Sequence, residues 1–319
     1  WKGLVGSEMC IRDSHWRMIR DILRFHELSG HLLSDNLDEH MTVASFARRH
    51  GLEGAFLERY LVPLGAALWS CSTDQFRSFP IRFVLEFMHN HNMLQVEGRP
   101  KWKTVAGGSW QYVSRLVDSL QADVRAATPV ERVVRRGRAV EVGTPDGRRE
   151  TFDEVILACH ADQALSLVDT PDAHEAALLR EFPYQRNVAV LHTDTSVLPR
   201  EKLAWASWNY HLTGAGRDGA TVTYNMNLLQ GLDSDETYCV SLNPSVALDP
   251  GRVIRRIDYM HPLFKPGRSS AQGEHASLIR RRGISYCGAY WGFGFHEDGV
   301  VSALAVTDAF GLAESAIAA

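Results

Sequence analysis

The residues best suited to chemistry lie near the C-terminal end, in Tyr286-Cys-Gly-Ala-Tyr-Trp-Gly-Phe-Gly-Phe-His-Glu-Asp-Gly-Val300. Ile284 to Cys287 reads as a strand. Gly288, Gly292, Gly294 and Gly299 mark a loop, and Val300 to Leu312 reads as a helix. Glycines let backbone approach a ligand closely. The first turn of a helix presents N–H donors to an anion or a polarised carbonyl. An ordinary strand–helix turn has the same composition, so the spacing leaves both readings open. Cys287 and His296 suit a thiol nucleophile less well than a buried strand cysteine suits a core. Trp205, Trp208, Tyr210 and Tyr224 recur on expected strands, either as core or as the wall of an apolar pocket.

Several chemistries are not written in the chain. No G-x-S-x-G elbow, P-loop or H-E-x-x-H is present. His89 and His91 stand two apart, which on a helix points them to different sides, so no metal site is expected. The charge sum is 34 − 38 = −4, which argues against a nucleic-acid binder. Five isolated cysteines suit no disulfide framework and point to a reducing compartment, the cytoplasm. The longest apolar run, Tyr60 to Trp69, is far short of the roughly 20 residues that span a bilayer. Peripheral membrane contact and the oligomeric state stay open.

The elements that must position these residues follow from hydrophobic period. At 319 residues the chain has room for about two domains. Residues 15–103 read as helical. Thr42 suits a cap, a helix from Leu52 stops near Pro63, and Ser78-Phe-Pro80 opens another with Ile81, Val84, Leu85 and Met88 on one face. Gly107-Gly108-Ser109 opens a helix carrying Tyr112, Val113, Leu116, Val117 and Leu120. Strands follow at Val130–Val134 and Val140–Val142, then a Pro145-Asp146-Gly147 turn. Val155-Ile-Leu-Ala158 is a continuous apolar run, expected to be a strand buried on both faces. Runs at 188–191, 204–208, 220–224 and 238–242 predict a second sheet. Val5 to Ser14 resembles translated adapter sequence, so Trp1–Ser14 is expected to pack poorly, with structure starting near His15.

Three segments together resemble the flavin-containing amine oxidase superfamily, in its bacterial branch of NAD/FAD-binding oxidoreductases. They are the C-terminal segment, Thr128-Pro-Val130 leading through a hairpin to Phe152-Asp-Glu-Val-Ile-Leu-Ala158, and Val105-Ala-Gly-Gly-Ser109. His160-Ala-Asp-Gln-Ala164, Tyr184-Gln-Arg-Asn187, Trp205-Ala-Ser-Trp-Asn-Tyr210 and Gly288-Ala-Tyr-Trp-Gly292 resemble the narrower branch. The resemblance covers roughly residues 16–312. It implies an α/β fold: a Rossmann-like FAD-binding domain and a substrate domain of mixed sheet and helices. The leading G-x-G-x-x-G unit of that superfamily is not found near the N-terminus. The chain is therefore expected to be a fragment without the first βαβ unit.

The expected division is 1–14 leader, 15–103 helical substrate part, 104–165 FAD-binding, 166–283 substrate sheet and 284–319 FAD-binding. The resemblance implies FAD contacts at Val130, Ala158, Gly107, Gly108, Gly288, Ala289, His296, Glu297, Asp298, Gly299 and Val300. The N–H groups of Asp298 to Val300 are expected to face the flavin, with Gly299 against the ring. Ala289 stands where many relatives carry an acidic residue, and the strand from Asn187 to His192 lacks the lysine of amine-oxidising members. Substrate contacts are expected at Trp208, Tyr210, Tyr224 and Trp291. The implied activity is FAD-dependent hydride removal from a small apolar molecule, an acyl chain. The other reading is a non-catalytic apolar-ligand or partner-binding protein without FAD.

Overall fold

The computed structural model describes residues 5–33, 38, 40–98, 103–211, 221–244 and 246–311. The chain forms two compact units. One comprises Trp1–Ser119 and Gln185–His261, the other Leu120–Tyr184 and Pro262–Ala319. Residues 104–119 thus fall with the first unit, and 166–184 and 262–283 with the second.

The first unit begins with helix α1 (Val5–Leu32), whose backbone runs through Ser14 and His15 without a break. The expected poor packing of Trp1–Ser14 otherwise lies largely outside the described residues. Helix α2 (Val43–Arg49) starts where expected: Thr42 Oγ1 accepts from the Ser45 N–H at 3.2 Å, and the Thr42 N–H donates to Ser45 Oγ at 2.9 Å. Pro63 does not stop a helix. A π-helical turn (Leu57–Leu61) runs directly into α3 (Val62–Trp69), with Pro63 in the first turn, where no N–H is required. Two short helices complete the group, α4 (Thr73–Arg77) and α5 (Ile81–Asn90). Phe25, Phe46, Phe56, Trp69, Phe76, Phe79 and Phe87 form their core. Gly65 is obligatory there, because a Cβ would stand 2.0 Å from the Phe76 ring. Helix α6 (Trp110–Ser119) buries none of its residues.

The second unit starts with an antiparallel meander of β1 (Arg132–Arg136), β2 (Ala139–Gly143) and β3 (Arg149–Phe152). Strand β4 (Val155–Leu157) follows, then α7 (Ala161–Leu167) and α8 (Ala173–Leu179).

The sheet of the first unit comprises β5 (Tyr184–His192), β6 (Trp208–His211), β7 (Thr221–Asn225), β8 (Cys239–Leu242) and β9 (Val253–Pro262), in the order β6-β7-β8-β5-β9. Helix α9 (Met226–Gln230) follows β7. Residues 204–207 precede β6 as a turn, so that strand lies slightly later than expected. One face of the sheet sets Ala189, Val222 and Leu242 against Ala67 of α3. The other buries a polar ladder. His192 Nε2 contacts Ser241 Oγ at 2.8 Å, and Ser241 Oγ contacts Thr223 Oγ1 at 2.7 Å.

Helix α10 (Arg268–Gly273), strand β10 (Ile284–Tyr286) and helix α11 (His296–Asp308) complete the second unit. Strand β10 pairs in parallel with β4, placing Tyr286 opposite Leu157. Segments 125 residues apart are thereby joined, as expected. The core beneath them comprises Val133, Val140, Leu157, Leu179, Phe182, Leu278, Ile284, Tyr286, Tyr290 and Trp291. The expectation that β4 is buried on both faces fails at Ile156, which is 46% exposed. The β4–β10 sheet has two described strands. No described helix is long and apolar enough to cross a membrane. Among the described residues no group of three His, Cys, Asp or Glu side chains is placed to hold a metal ion.

Candidate cofactor site

Two parallel strands end side by side at Leu157 and Tyr286, and the chain turns into a helix after each. The carboxyl ends of parallel strands are where open α/β sheets bind ligands, because both connecting loops diverge there. Ala158 is exposed at one end. At the other, the Cys287 N–H donates to Leu157 O at 3.1 Å, and the Gly288 N–H donates to Ser302 Oγ at 2.9 Å. Ser302 donates in turn to Gly299 O at 2.8 Å, which ties the strand end to α11.

The glycines of this loop answer first to its own packing. A Cβ on Gly288 would lie 2.6 Å from the Tyr290 ring, and one on Gly292 would lie 2.2 Å from Asp298 Oδ1. A Cβ on Gly299 meets Ala289 N at 3.8 Å, an ordinary contact. Gly299 therefore faces Ala289, and no part of the protein itself demands a glycine there on steric grounds. The expected donors also shift by a residue or two. The Gly299 N–H is spent on Phe295 O at 3.2 Å, and the next N–H belongs to the helix ladder. First-turn positions lack an intrahelical acceptor, which leaves Glu297 and Asp298 rather than Gly299 and Val300 as donors. Asp298 caps the helix, accepting the Phe295 N–H at Oδ2 over 2.8 Å.

Two side chains without a clear sequence signal hold this loop. Arg268, 2% exposed, donates from Nη2 to Tyr290 O at 2.8 Å and Gly292 O at 3.3 Å. Its Nη1 reaches Leu263 O at 3.2 Å. Gln272, one turn later, donates to the same Tyr290 and Gly292 carbonyls at 3.0 and 2.7 Å. Trp291 between them packs edge-on to Phe182 and stacks on His275 at 4.3 Å. It belongs to the core of the second unit, whereas Trp208, Tyr210 and Tyr224 belong to the first. His160 opens α7 with its ring stacked on Tyr184 at 4.4 Å and its buried Nδ1 unpartnered. Burial pushes the Cys159 and Cys287 thiols up, so neither is a ready thiolate.

Of the expected cofactor residues, Val130, Ala158, Gly288, Ala289 and His296 to Val300 lie in the second unit. Gly107 and Gly108 lie in the first, both with positive φ before α6. The donor set of the second unit fits an anionic group with an apolar body, as a flavin nucleotide is. It offers a helix N-terminus and the exposed Val130 and Ala158, with the positive charge of buried Arg268 behind the loop.

In the first unit Trp208 lies directly opposite Tyr224, and their rings meet edge-to-face at 5.6 Å. Tyr210 lies opposite Val222 on the same face. A cleft of about 410 Å³ is bordered by Leu198, Pro199, Trp208, Asn209, Tyr210 and His211, among others. Burial raises the Tyr224 phenol to about 12 and raises Tyr210 as well, so both stay protonated at neutral pH.

A family model for flavin containing amine oxidoreductases matches residues 1–242. No curated protein matches the chain. Solved structures resemble it at low identity. A CLA-producing fatty acid isomerase from P. acnes is 14% identical with a TM-score of 0.59, covering 98% of this chain and 76% of that one. Cyclohexylamine oxidase from Brevibacterium oxydans is 11% identical with a TM-score of 0.61, covering 98% and 77%. A reduced UDP-galactopyranose mutase is 12% identical with a TM-score of 0.56, covering 95% and 74%. The three share the fold, and the match across three quarters of the sequence settles the lineage: this chain belongs to the flavin containing amine oxidoreductase family, whose cofactor is FAD.

Proposed function

We propose that this FAD-dependent oxidoreductase takes hydride from a C–H bond of a small apolar substrate, with an acyl chain as the substrate class. The observation that carries the reading is the cleft beside β6, whose described lining contains Trp208 and Tyr210 and, among the described residues, no Asp, Glu, Lys or Arg. A protonated amine would find no carboxylate partner among the described lining residues. The absence of lysine from β5 agrees with chemistry other than amine oxidation. One solved relative of the same fold is described as a fatty acid isomerase.

Bound flavin supplies the hydride acceptor. The protein's share is to hold and orient it. Gly288, Ala289 and the first turn of α11 are assigned to the flavin, with Glu297 accepting from its hydroxyl groups. Val130 and Ala158 are assigned to apolar contact, and Gly107 and Gly108 to close backbone approach. Trp208, Tyr210 and Tyr224 would hold the substrate by shape. Trp291 is assigned to the substrate only through the loop it anchors.

The test is reconstitution with FAD, removal of free cofactor, and anaerobic titration of the spectrum. Acyl substrates are expected to bleach the flavin, while primary amines leave it oxidised. Bleaching by amines alone overturns the substrate class. A colourless protein that binds fatty acids establishes the alternative, an apolar-ligand binder. That reading draws on the same cleft lining.

A further inference from the structure

A buried cation normally comes with a carboxylate, because taking an unpaired charge out of water is costly. Arg268 is an exception. No described carboxylate stands within ion-pairing distance of it. Its neighbours are three backbone carbonyls and the rings of Phe264 and Phe182, 3.7 and 5.1 Å away. Its Nε has no partner. Asp298 contributes a field but is committed to the Phe295 N–H. Burial pushes the guanidinium down to about 9. It is therefore still charged at neutral pH.

Gln272 makes the charge informative. It donates to Tyr290 O and Gly292 O, the same two carbonyls. A neutral amide therefore already restrains the loop. What Arg268 adds at those carbonyls is a positive charge, directly behind the glycine segment that leads into α11. The N-terminus of that 13-residue helix adds about half a positive charge in the same region.

We propose that Arg268 is an electrostatic positioning residue: its buried, unneutralised guanidinium, held on the Tyr290 and Gly292 carbonyls, tunes the 288–298 loop for the negative charge of the flavin nucleotide. The inference rests on the flavin reading above. That negative charge has two sources, the pyrophosphate of FAD and the ring once reduced.

The experiment compares the wild-type chain with Arg268→Gln, which keeps donors and removes charge, and with Arg268→Lys, which keeps charge. FAD and riboflavin affinities and the flavin midpoint potential are measured for each. If the pyrophosphate is the target, Arg268→Gln loses about tenfold or more in FAD affinity while riboflavin binding is unchanged. If the reduced ring is the target, the potential becomes more negative in Arg268→Gln. In either case Arg268→Lys stays close to wild type. Should Arg268→Gln fail to fold, Arg268→Met removes the charge, fills the space of the apolar stem and leaves Gln272 on both carbonyls, and is expected to show the same losses. A folded neutral variant with wild-type affinity and potential overturns the proposal. If the wild type itself takes up no flavin, the flavin reading fails, and inorganic pyrophosphate becomes the probe. Slowed hydrogen exchange across 288–299 in the wild type but not in Arg268→Gln then upholds the charge's role. No difference between the two overturns it.

Discussion

Gly292 and Gly299 show how similar residues in one loop carry different constraints. A methyl on Gly292 would meet Asp298 at Oδ1, Cγ and Cβ, the last at 2.7 Å. Swinging the carboxylate away does not relieve a clash with Cβ, and it breaks the cap on the Phe295 N–H. Gly292→Ala is therefore expected to cost about 1–3 kcal/mol, from overpacking and a lost cap. Urea unfolding checks this. Gly299 is in a helix, and its added methyl meets only an ordinary contact. Gly299→Ala is expected to leave stability unchanged or raise it by up to about 1 kcal/mol. It also tests the cofactor assignment. If this stable variant loses FAD, the flavin lies against residue 299; if it retains FAD at wild-type affinity, the glycine serves the helix alone.

At the scale of elements, two ion pairs tie the start of α8 to β1 and to the segment before β10. Glu175 is fully buried, accepts the Tyr286 hydroxyl at 3.1 Å and pairs with Arg135 of β1. Asp172 caps α8 through the His174 and Glu175 N–H groups and accepts from Arg281 Nε at 2.8 Å. Burial opposes ionisation of Asp172, but the Arg281 bond and the backbone donors outweigh it and hold the carboxyl at about 2. A folded value below the unfolded one means that the charged form stabilises the fold. That contribution is complete above the ordinary aspartate range near 3.9 and is lost as pH falls toward 2. With allowance for partial exposure of the pair, Asp172→Asn is expected to cost about 1–2 kcal/mol at pH 7. The difference should shrink as pH falls from about 4 toward 2. A pH-independent difference would show that capping geometry, not charge, is what Asp172 supplies.

The same elements show what a reader of sequence can and cannot see. Thr42 with Ser45, Pro80 before Ile81 and the Pro145-Asp146-Gly147 turn act through local geometry, and each has the effect its chemistry predicts. Pro63 misleads because proline suits a first turn as well as it blocks an interior one. Strand β9 gives little signal, because most of its residues are exposed and three of its first six, Arg255, Arg256 and Asp258, are charged, typical of an edge. Arg268 is one of 34 cationic residues, and its contacts lie 22 and 24 residues away at Tyr290 and Gly292. Nothing in its sequence neighbourhood distinguishes a buried guanidinium from a solvated one.

At the scale of the molecule, the cofactor residues named in the second unit come from chain segments far apart in sequence, near 158 and from 286 to 300. A ligand held there binds the folded state and not the unfolded chain. It must then stabilise the fold by RT ln(1 + [L]/Kd), about 2.7 kcal/mol at a hundredfold excess over Kd. The melting temperature should therefore rise with FAD concentration without reaching a plateau at one equivalent. Hydrogen exchange locates the effect. With FAD, the amides of 158–160 and 286–300 should slow together, because Cys287 N–H donates to Leu157 O and the two strand ends move as one. The assigned contact at Gly107 and Gly108 should appear as slowing across 107–112, where the Gly108 N–H already closes a turn on Val105 O at 2.9 Å. Slowing confined to 107–112 would place the cofactor away from the β4–β10 edge. Slowing at 204–211 without change at 286–300 would assign FAD to the aromatic cleft and leave the glycine loop without a ligand.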